Sequence, residues 1–156
     1  MSFMQNHRED SNTTRYYVKN KDKVKSGRTY FVTRSTWEYK FFQWCDINEN
    51  ILYFEAEPLA IPYQHPIEQR DARYFPDALI KCKTKKGNIK TYLVEIKPHK
   101  ECKQPTKSKG KSKKTVLTEA KTWEINKAKW KAAQRYCKLK GWTFKLITER
   151  ELFGKD

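Results

Sequence analysis

The most apolar short run of this chain, Tyr92-Leu93-Val94-Glu95-Ile96, has an acid inside it. A carboxylate in a buried strand incurs a large desolvation cost unless it is paired or metal-bound, so this segment constrains both the fold and the chemistry. Upstream lie Arg73-Tyr74-Phe75-Pro76-Asp77-Ala78-Leu79-Ile80 and the turn-forming Lys85-Lys86-Gly87-Asn88, which together with Ile89–Lys97 predict a β-hairpin. Side chains alternate faces along a strand, so Glu95 and Lys97 project together while Val94 and Ile96 point to the core. Asp77, on the adjoining strand, can meet them.

Two carboxylates a few ångströms apart repel unless a cation sits between them, and hard oxygen donors suit Mg²⁺ or Mn²⁺. A divalent ion there would polarise a phosphodiester and lower the pKa of a bound water, with Lys97 orienting that water or neutralising charge on the phosphate. The bare pattern is common: Glu38-Tyr39-Lys40, Glu101-Cys102-Lys103 and Glu119-Ala120-Lys121 share its acid-x-Lys form. On an exposed strand end, Glu95 and Lys97 would be no more than a weak ion pair. Glu38 is the candidate third carboxylate, but Glu three residues after Ser35 is also what a helix capping box requires.

The rest of the chain supplies a frame for this hairpin. Residues 1–28 are polar and read as an N-terminal arm, either mobile or draped over a single domain spanning 29–156. Ser35-Thr36-Trp37-Glu38 opens a helix whose core face is Trp37, Phe41, Trp44 and Cys45. Residues 51–63 are β-prone, and Pro58 and Pro62 reduce them to an edge strand or two short extended pieces. A basic, flexible loop over 99–114 carries Lys100, Lys103, Lys107, Lys109, Lys111, Lys113 and Lys114 against Glu101 alone; it is either a solvated segment or a phosphate-contacting one. A second helix over Leu117–Lys140 buries Ala120, Trp123, Trp130, Ala133 and Cys137, and Gly141 ends it. The spacing of Trp123 and Trp130 fits burial better than base stacking. The alternation of Trp142, Phe144 and Leu146 predicts a last strand. Helix, strands, hairpin, loop, helix, strand describes an α/β or α+β fold, a mixed central β-sheet flanked by helices.

Composition narrows the partner. In 156 residues, Lys and Arg outnumber Asp and Glu by 34 to 18, a net charge of +16, which a polyanion such as nucleic acid most simply sustains. Five Trp, nine Tyr and eight Phe exclude a disordered tail. No apolar run has the length of a membrane span, nor does the N-terminal stretch resemble a secretion signal. Cys45, Cys82, Cys102 and Cys137 are scattered and the three His isolated, so neither a zinc site nor a disulfide framework is expected.

Arg34-Ser35-x-Trp37-Glu38, Tyr74-Phe75-Pro76-Asp77 and Val94-Glu95-Ile96-Lys97-Pro98 resemble the PD-(D/E)xK nuclease superfamily. The closer resemblance is to the head completion nucleases of T-even-like phages and to the end-cleaving nuclease subunit of heteromeric transposases. Asn126, Lys129-Trp130, Ala132-Ala133, Tyr136-Cys137, Gly141-Trp142, Phe144 and Thr148-Glu149 look like the downstream block of that group, so the match spans about Arg34–Leu152. The resemblance implies a restriction-endonuclease-like three-layer fold, Mg²⁺-dependent cleavage of DNA, Asp77 and Glu95 as metal ligands, Lys97 as catalytic lysine and Glu38 as the helix-borne acid. A carboxylate at position 95 departs from the Gln expected in the transposase subunit and suits the phage branch. Lys127 and Gln134 on the second helix could approach the site, with nothing in the sequence fixing their direction. The implied setting is the host cytoplasm during phage assembly or the virion, with head, portal or neck proteins as partners and monomer and dimer both open. The rival readings are a non-catalytic DNA-binding head or neck protein and a transposase-type end-cleaving enzyme.

Overall fold

The computed structural model describes residues 13–154. In chain order these form β1 (Thr14–Tyr17), β2 (Tyr30–Thr33), α1 (Thr36–Ile47), β3 (Ile51–Ala56), β4 (Ile61–His65), β5 (Arg70–Tyr74), β6 (Ala78–Lys83), β7 (Ile89–Ile96), α2 (Lys113–Lys140), β8 (Thr143–Ile147) and α3 (Glu149–Phe153). The central sheet runs β3-β6-β7-β8, antiparallel except for the parallel β7–β8 pair, and is therefore mixed as expected. Among the described residues no helix is long and apolar enough to cross a membrane, and the four cysteines are free thiols.

Both faces of this sheet are covered, which is why β7 reads as a nearly continuous apolar run. On one face Ala78, Ile80, Val94 and Ile147 pack with Phe41, Phe42 and Cys45 of α1 and with Tyr16 and Phe31 of the β1–β2 pair. On the other, Leu79 and Leu93 pack with Trp130, Ala133 and Cys137 of α2 and with Ile61 and Tyr74 of the β4–β5 hairpin. These are the three layers implied by the resemblance.

Several sequence expectations shift. Residues 1–12 of the expected arm lie outside the described residues, and from Thr14 onward that segment belongs to the domain: β1 pairs with β2, and Tyr16, Val18 and Val24 are buried. The polar composition hid this because the three apolar residues are spread over nine positions. In α1, Trp44 is 46 % exposed whereas Phe42 is buried, since β2 and β3 close over that flank and the Phe31 and Phe54 rings meet Phe42 there. Residues 51–63 do split, β3 forming the sheet edge and β4 leaving to pair with β5. The segment 73–80 is not one strand, for Pro76 separates β5 from β6. The second helix begins four residues early, at Lys113, capped by Ser112, whose Oγ accepts from the Thr115 amide at 3.1 Å. Its first turns carry exposed Leu117 and Ala120, so they show no burial period by which to find them.

Candidate active site

Asp77 reaches the site because of where the chain breaks. Pro76 has no N–H to give a ladder, so β5 stops at Tyr74 and β6 starts at Ala78, with Asp77 in the gap. Ala78 pairs with Val94, which sets Asp77 across from Glu95. The Ile96 amide donates to Asp77 Oδ2 at 2.7 Å, clipping the carboxyl to the strand that carries Glu95 and Lys97. Behind it, the Glu57 amide donates to the Asp77 carbonyl at 2.9 Å. Glu57 holds φ at 42°, a left-handed backbone that non-glycine residues keep only when the surroundings impose it. Its carboxylate pairs with the Arg34 guanidinium, one residue before the α1 cap. The exit of β3, Asp77 and the start of α1 are thus tied together.

Glu95, 7 % exposed, accepts the Tyr74 hydroxyl at Oε1 (2.8 Å), and its Oε2 stands 3.7 Å from Lys97 Nζ. The Asp77 and Glu95 carboxyls lie within hydrogen-bonding reach. Burial, and then the charge of Glu95, push Asp77 well above the usual carboxylate range. Burial raises Glu95 as well, and Tyr74, Lys97 and Lys129 hold it back. Burial, then the charge of Glu95 and the hydrogen bond to it, push the Tyr74 hydroxyl well up.

Glu38 fills both roles that the sequence left open. Ser35 Oγ accepts from the Glu38 amide at 3.1 Å, and Glu38 Oε2 accepts from the Arg34 amide and from Ser35 Oγ, each at 3.2 Å. The same carboxylate lines an open cleft of about 400 Å³ together with Asp77, Glu95 and Lys97. Burial, then the neighbouring Asp77, bring Glu38 up to about 7. α3 braces this end of α1 through the Trp37 and Phe153 rings, 5.9 Å apart.

The α2 residue that approaches is Lys129, not Lys127 or Gln134. Lys127 is exposed and pairs with Glu124 at 2.9 Å, and Gln134 is exposed on the outer face. Lys129 Nζ lies 5.8 Å from the Tyr74 ring centroid and is lowered by burial, an effect that the attraction of Glu95 opposes. Its position was recoverable from helical spacing: it follows the buried Asn126 by three and precedes the buried Ala133 by four.

Among the described residues no three Asp, Glu, His or Cys side chains form a ready-made metal cluster. The Asp77–Glu95 pair nonetheless fits a hard divalent cation, because both donors are carboxylate oxygens and a cation would offset the repulsion between them. The lysines of 99–114 are not all placed alike. Lys113 and Lys114 belong to α2, and Lys111 Nζ is held by Glu119 Oε2 (3.1 Å) and the Thr106 carbonyl (2.9 Å). Lys100, Lys103, Lys107 and Lys109 are exposed on the segment that leaves the cleft beside Glu101.

Residues 48–149 match the family described as TnsA-like endonuclease N terminal. The head completion nuclease of Enterobacteria phage T4 is 34 % identical over 138 residues, covering 86 % of this chain and 89 % of the phage protein. The family match includes Asp77, Glu95, Lys97 and Lys129, whereas Glu38 lies upstream of it.

Proposed function

The chain belongs to the TnsA-like endonuclease family, and from this premise we propose that it is a metal-dependent DNA endonuclease serving phage head completion. The observation that carries the chemistry is the Asp77–Glu95 pair, with Glu95 buried and Asp77 half-buried, beside Lys97 in an open cleft. A protein selected for stability alone would gain by replacing such an acid pair with apolar side chains. That consideration weighs against a purely structural head or neck protein. The head-completion setting follows from the phage relative, of which 89 % is matched, rather than from the transposase side of the family.

In this reading Asp77 and Glu95 hold Mg²⁺ or Mn²⁺, with Glu38 across the cleft as a further oxygen donor. When bound there, such an ion would supply the charge to polarise the phosphodiester and acidify a water. Lys97, with its ammonium free to leave Glu95 by a small swing, donates to a non-bridging phosphate oxygen or orients the attacking water. Tyr74 fixes the rotamer of Glu95, and the Ile96 amide fixes that of Asp77, so the donors are set before substrate arrives. Lys129 and Lys97 flank the acid pair with positive charge. DNA is the substrate, and the exposed Lys100, Lys103, Lys107 and Lys109 contact its backbone beside the cleft.

Supercoiled plasmid incubated with the purified protein tests this reading. Nicking or linearisation is expected in Mg²⁺, and none in EDTA or with Glu95→Ala. Cleavage that persists in EDTA would remove the metal from the mechanism.

A further inference from the structure

A second concavity adjoins the carboxylate cleft. The segment after the cleft folds back along the first half of α2 and encloses a groove of about 680 Å³, lined by Lys100, Lys103, Lys111, Trp123 and Asn126. Glu101 lines both the groove and the cleft, so the two adjoin at that residue. This volume is that of a small-ligand site and cannot admit a duplex.

Two side chains mark the groove as more than a gap in the packing. Asn126 is 5 % exposed as a residue, and among the described residues its carboxamide has no hydrogen-bond partner and stays open to solvent, unlike the buried unpaired Glu55 Oε2 and Trp130 Nε1. It lines the groove and so presents a donor and an acceptor to whatever enters. Trp123, one turn earlier on the same face, is only partly buried. Trp130 meets its ring edge-on with centroids 6.1 Å apart, and the exposed Lys127 hovers over the ring at 5.7 Å, a solvent-side contact that an aromatic base can displace. Of the acids, Glu119 is neutralised by Lys111 at 3.1 Å, leaving Lys100 and Lys103 against Glu101 at the rim.

We propose that this groove holds an unpaired nucleotide next to the scissile phosphate, its base stacked on Trp123, its edge hydrogen-bonded by Asn126 and its phosphates held by Lys100 and Lys103. An aromatic face, a carboxamide and flanking cations are the elements by which proteins hold single-stranded nucleic acid. The preferred substrate is then a duplex with an unpaired flank, such as a fork or a frayed end, rather than continuous duplex. This inference rests on DNA being the substrate, as proposed above.

Binding measured in EDTA, where cutting is not expected, separates the two ideas. The probes are a fluorescein-labelled blunt duplex and the same duplex with an unpaired arm of about six nucleotides, within the site size of a single-strand groove. The wild type is expected to bind the forked probe about tenfold more tightly, and Trp123→Ala to abolish that preference without changing affinity for the blunt probe. Trp123→Phe should keep most of the preference, and Asn126→Ala should reduce it by about threefold. Equal binding of the two probes by the wild type, or a preference that survives both Trp123→Ala and Asn126→Ala, would overturn the groove assignment while leaving plasmid cleavage untouched. If Trp123→Ala also loses the blunt probe through misfolding, Trp123→Phe and Asn126→Ala decide. A fork preference in a protein that cannot cut plasmid in Mg²⁺ would support the groove and refute the nuclease reading.

Discussion

The Ile96 amide donates to Asp77 Oδ2 at 2.7 Å, so the backbone between Glu95 and Lys97 grips the carboxyl that must face them. The register of the β6–β7 ladder brings Asp77 opposite Glu95, and this bond fixes its rotamer. Two carboxyls are thereby held together, and burial and the charge of Glu95 push Asp77 well above the usual carboxylate range. Holding two acids this close costs stability, a strain on the fold.

This strain has a direct consequence for Asp77→Asn. The amide keeps an acceptor for Ile96 and removes the repulsion, so in EDTA the variant is expected to melt about 5 °C higher than the wild type. Plasmid cleavage in Mg²⁺ should be lost in the same variant. Scanning fluorimetry and a nicking assay on one preparation check both, and a lower melting temperature would mean that Asp77 stabilises the fold instead.

Stability should fall as pH rises. In the unfolded chain Glu38 loses its proton near 4.5, whereas in the folded protein it keeps it up to about 7, and Asp77 is shifted the same way. Between these values the native state binds more protons than the unfolded one, so stability is highest below pH 4.5 for this group and is lost as pH climbs to about 7. In EDTA the melting temperature should therefore decline from pH 5 to pH 8, and both Mg²⁺ and Glu38→Gln should flatten the decline. A melting temperature that rises over that interval contradicts the arrangement.

Lys97 is expected to act on rate and not on affinity. Its Nζ is 3.7 Å from Glu95 Oε2, close enough to serve the cleft but too far for a tight structural bond. Lys97→Gln should lower kcat about 100-fold, the usual cost of losing one charge-stabilising donor, and should change the DNA Kd by less than about threefold. A rate within a few-fold of wild type would reduce the contact to a strand-end ion pair.

The parts readable from sequence are those where one local rule acts alone. Ser35 capping α1, the β6–β7 hairpin and the acid in the apolar run each follow from spacing, and the Asp77, Glu95, Lys97 and Glu38 side chains do line one cleft. What escaped depends on contacts distant in sequence. Tyr74 and Lys129 join the acid pair only because the β4–β5 hairpin and α2 cover the same sheet face, and Glu57 enters through an unusual φ that composition does not signal. The polar residues 14–28 looked like an arm because their structural role lies in hydrogen bonds to Asp46, 26 to 30 positions away.

That anchor carries its own prediction. Asp46 is fully buried and accepts the Tyr16 hydroxyl at 2.6 Å and the amides of Lys19 and Asn20 at 2.7 and 2.9 Å. Burial opposes its charge, and these bonds outweigh burial enough to lower its pKa. Asp46→Ala leaves three donors unpaired and is expected to cost about 3 kcal/mol, or about 8 °C in melting temperature. Cleavage per folded molecule at low temperature should not change, since Asp46 does not line the cleft.

Finally, the four exposed lysines should dominate the salt dependence of DNA binding. Each phosphate neutralised by a lysine contributes about 0.9 to the slope of log K against log salt, so changing Lys100, Lys103, Lys107 and Lys109 together to Gln should flatten that slope by about 3.6. These side chains are exposed, and the melting temperature should stay within about 1 °C. Substitution is a cleaner test than deleting 100–114, because deletion would also remove Ser112, the cap of α2, and the Lys111–Glu119 pair that holds the segment to the helix. Lys111→Gln alone should behave differently from the other four, lowering the melting temperature by a few degrees while changing the salt slope little. If Lys111 instead shifts the slope as much as its neighbours do, its ammonium leaves Glu119 for phosphate when DNA binds.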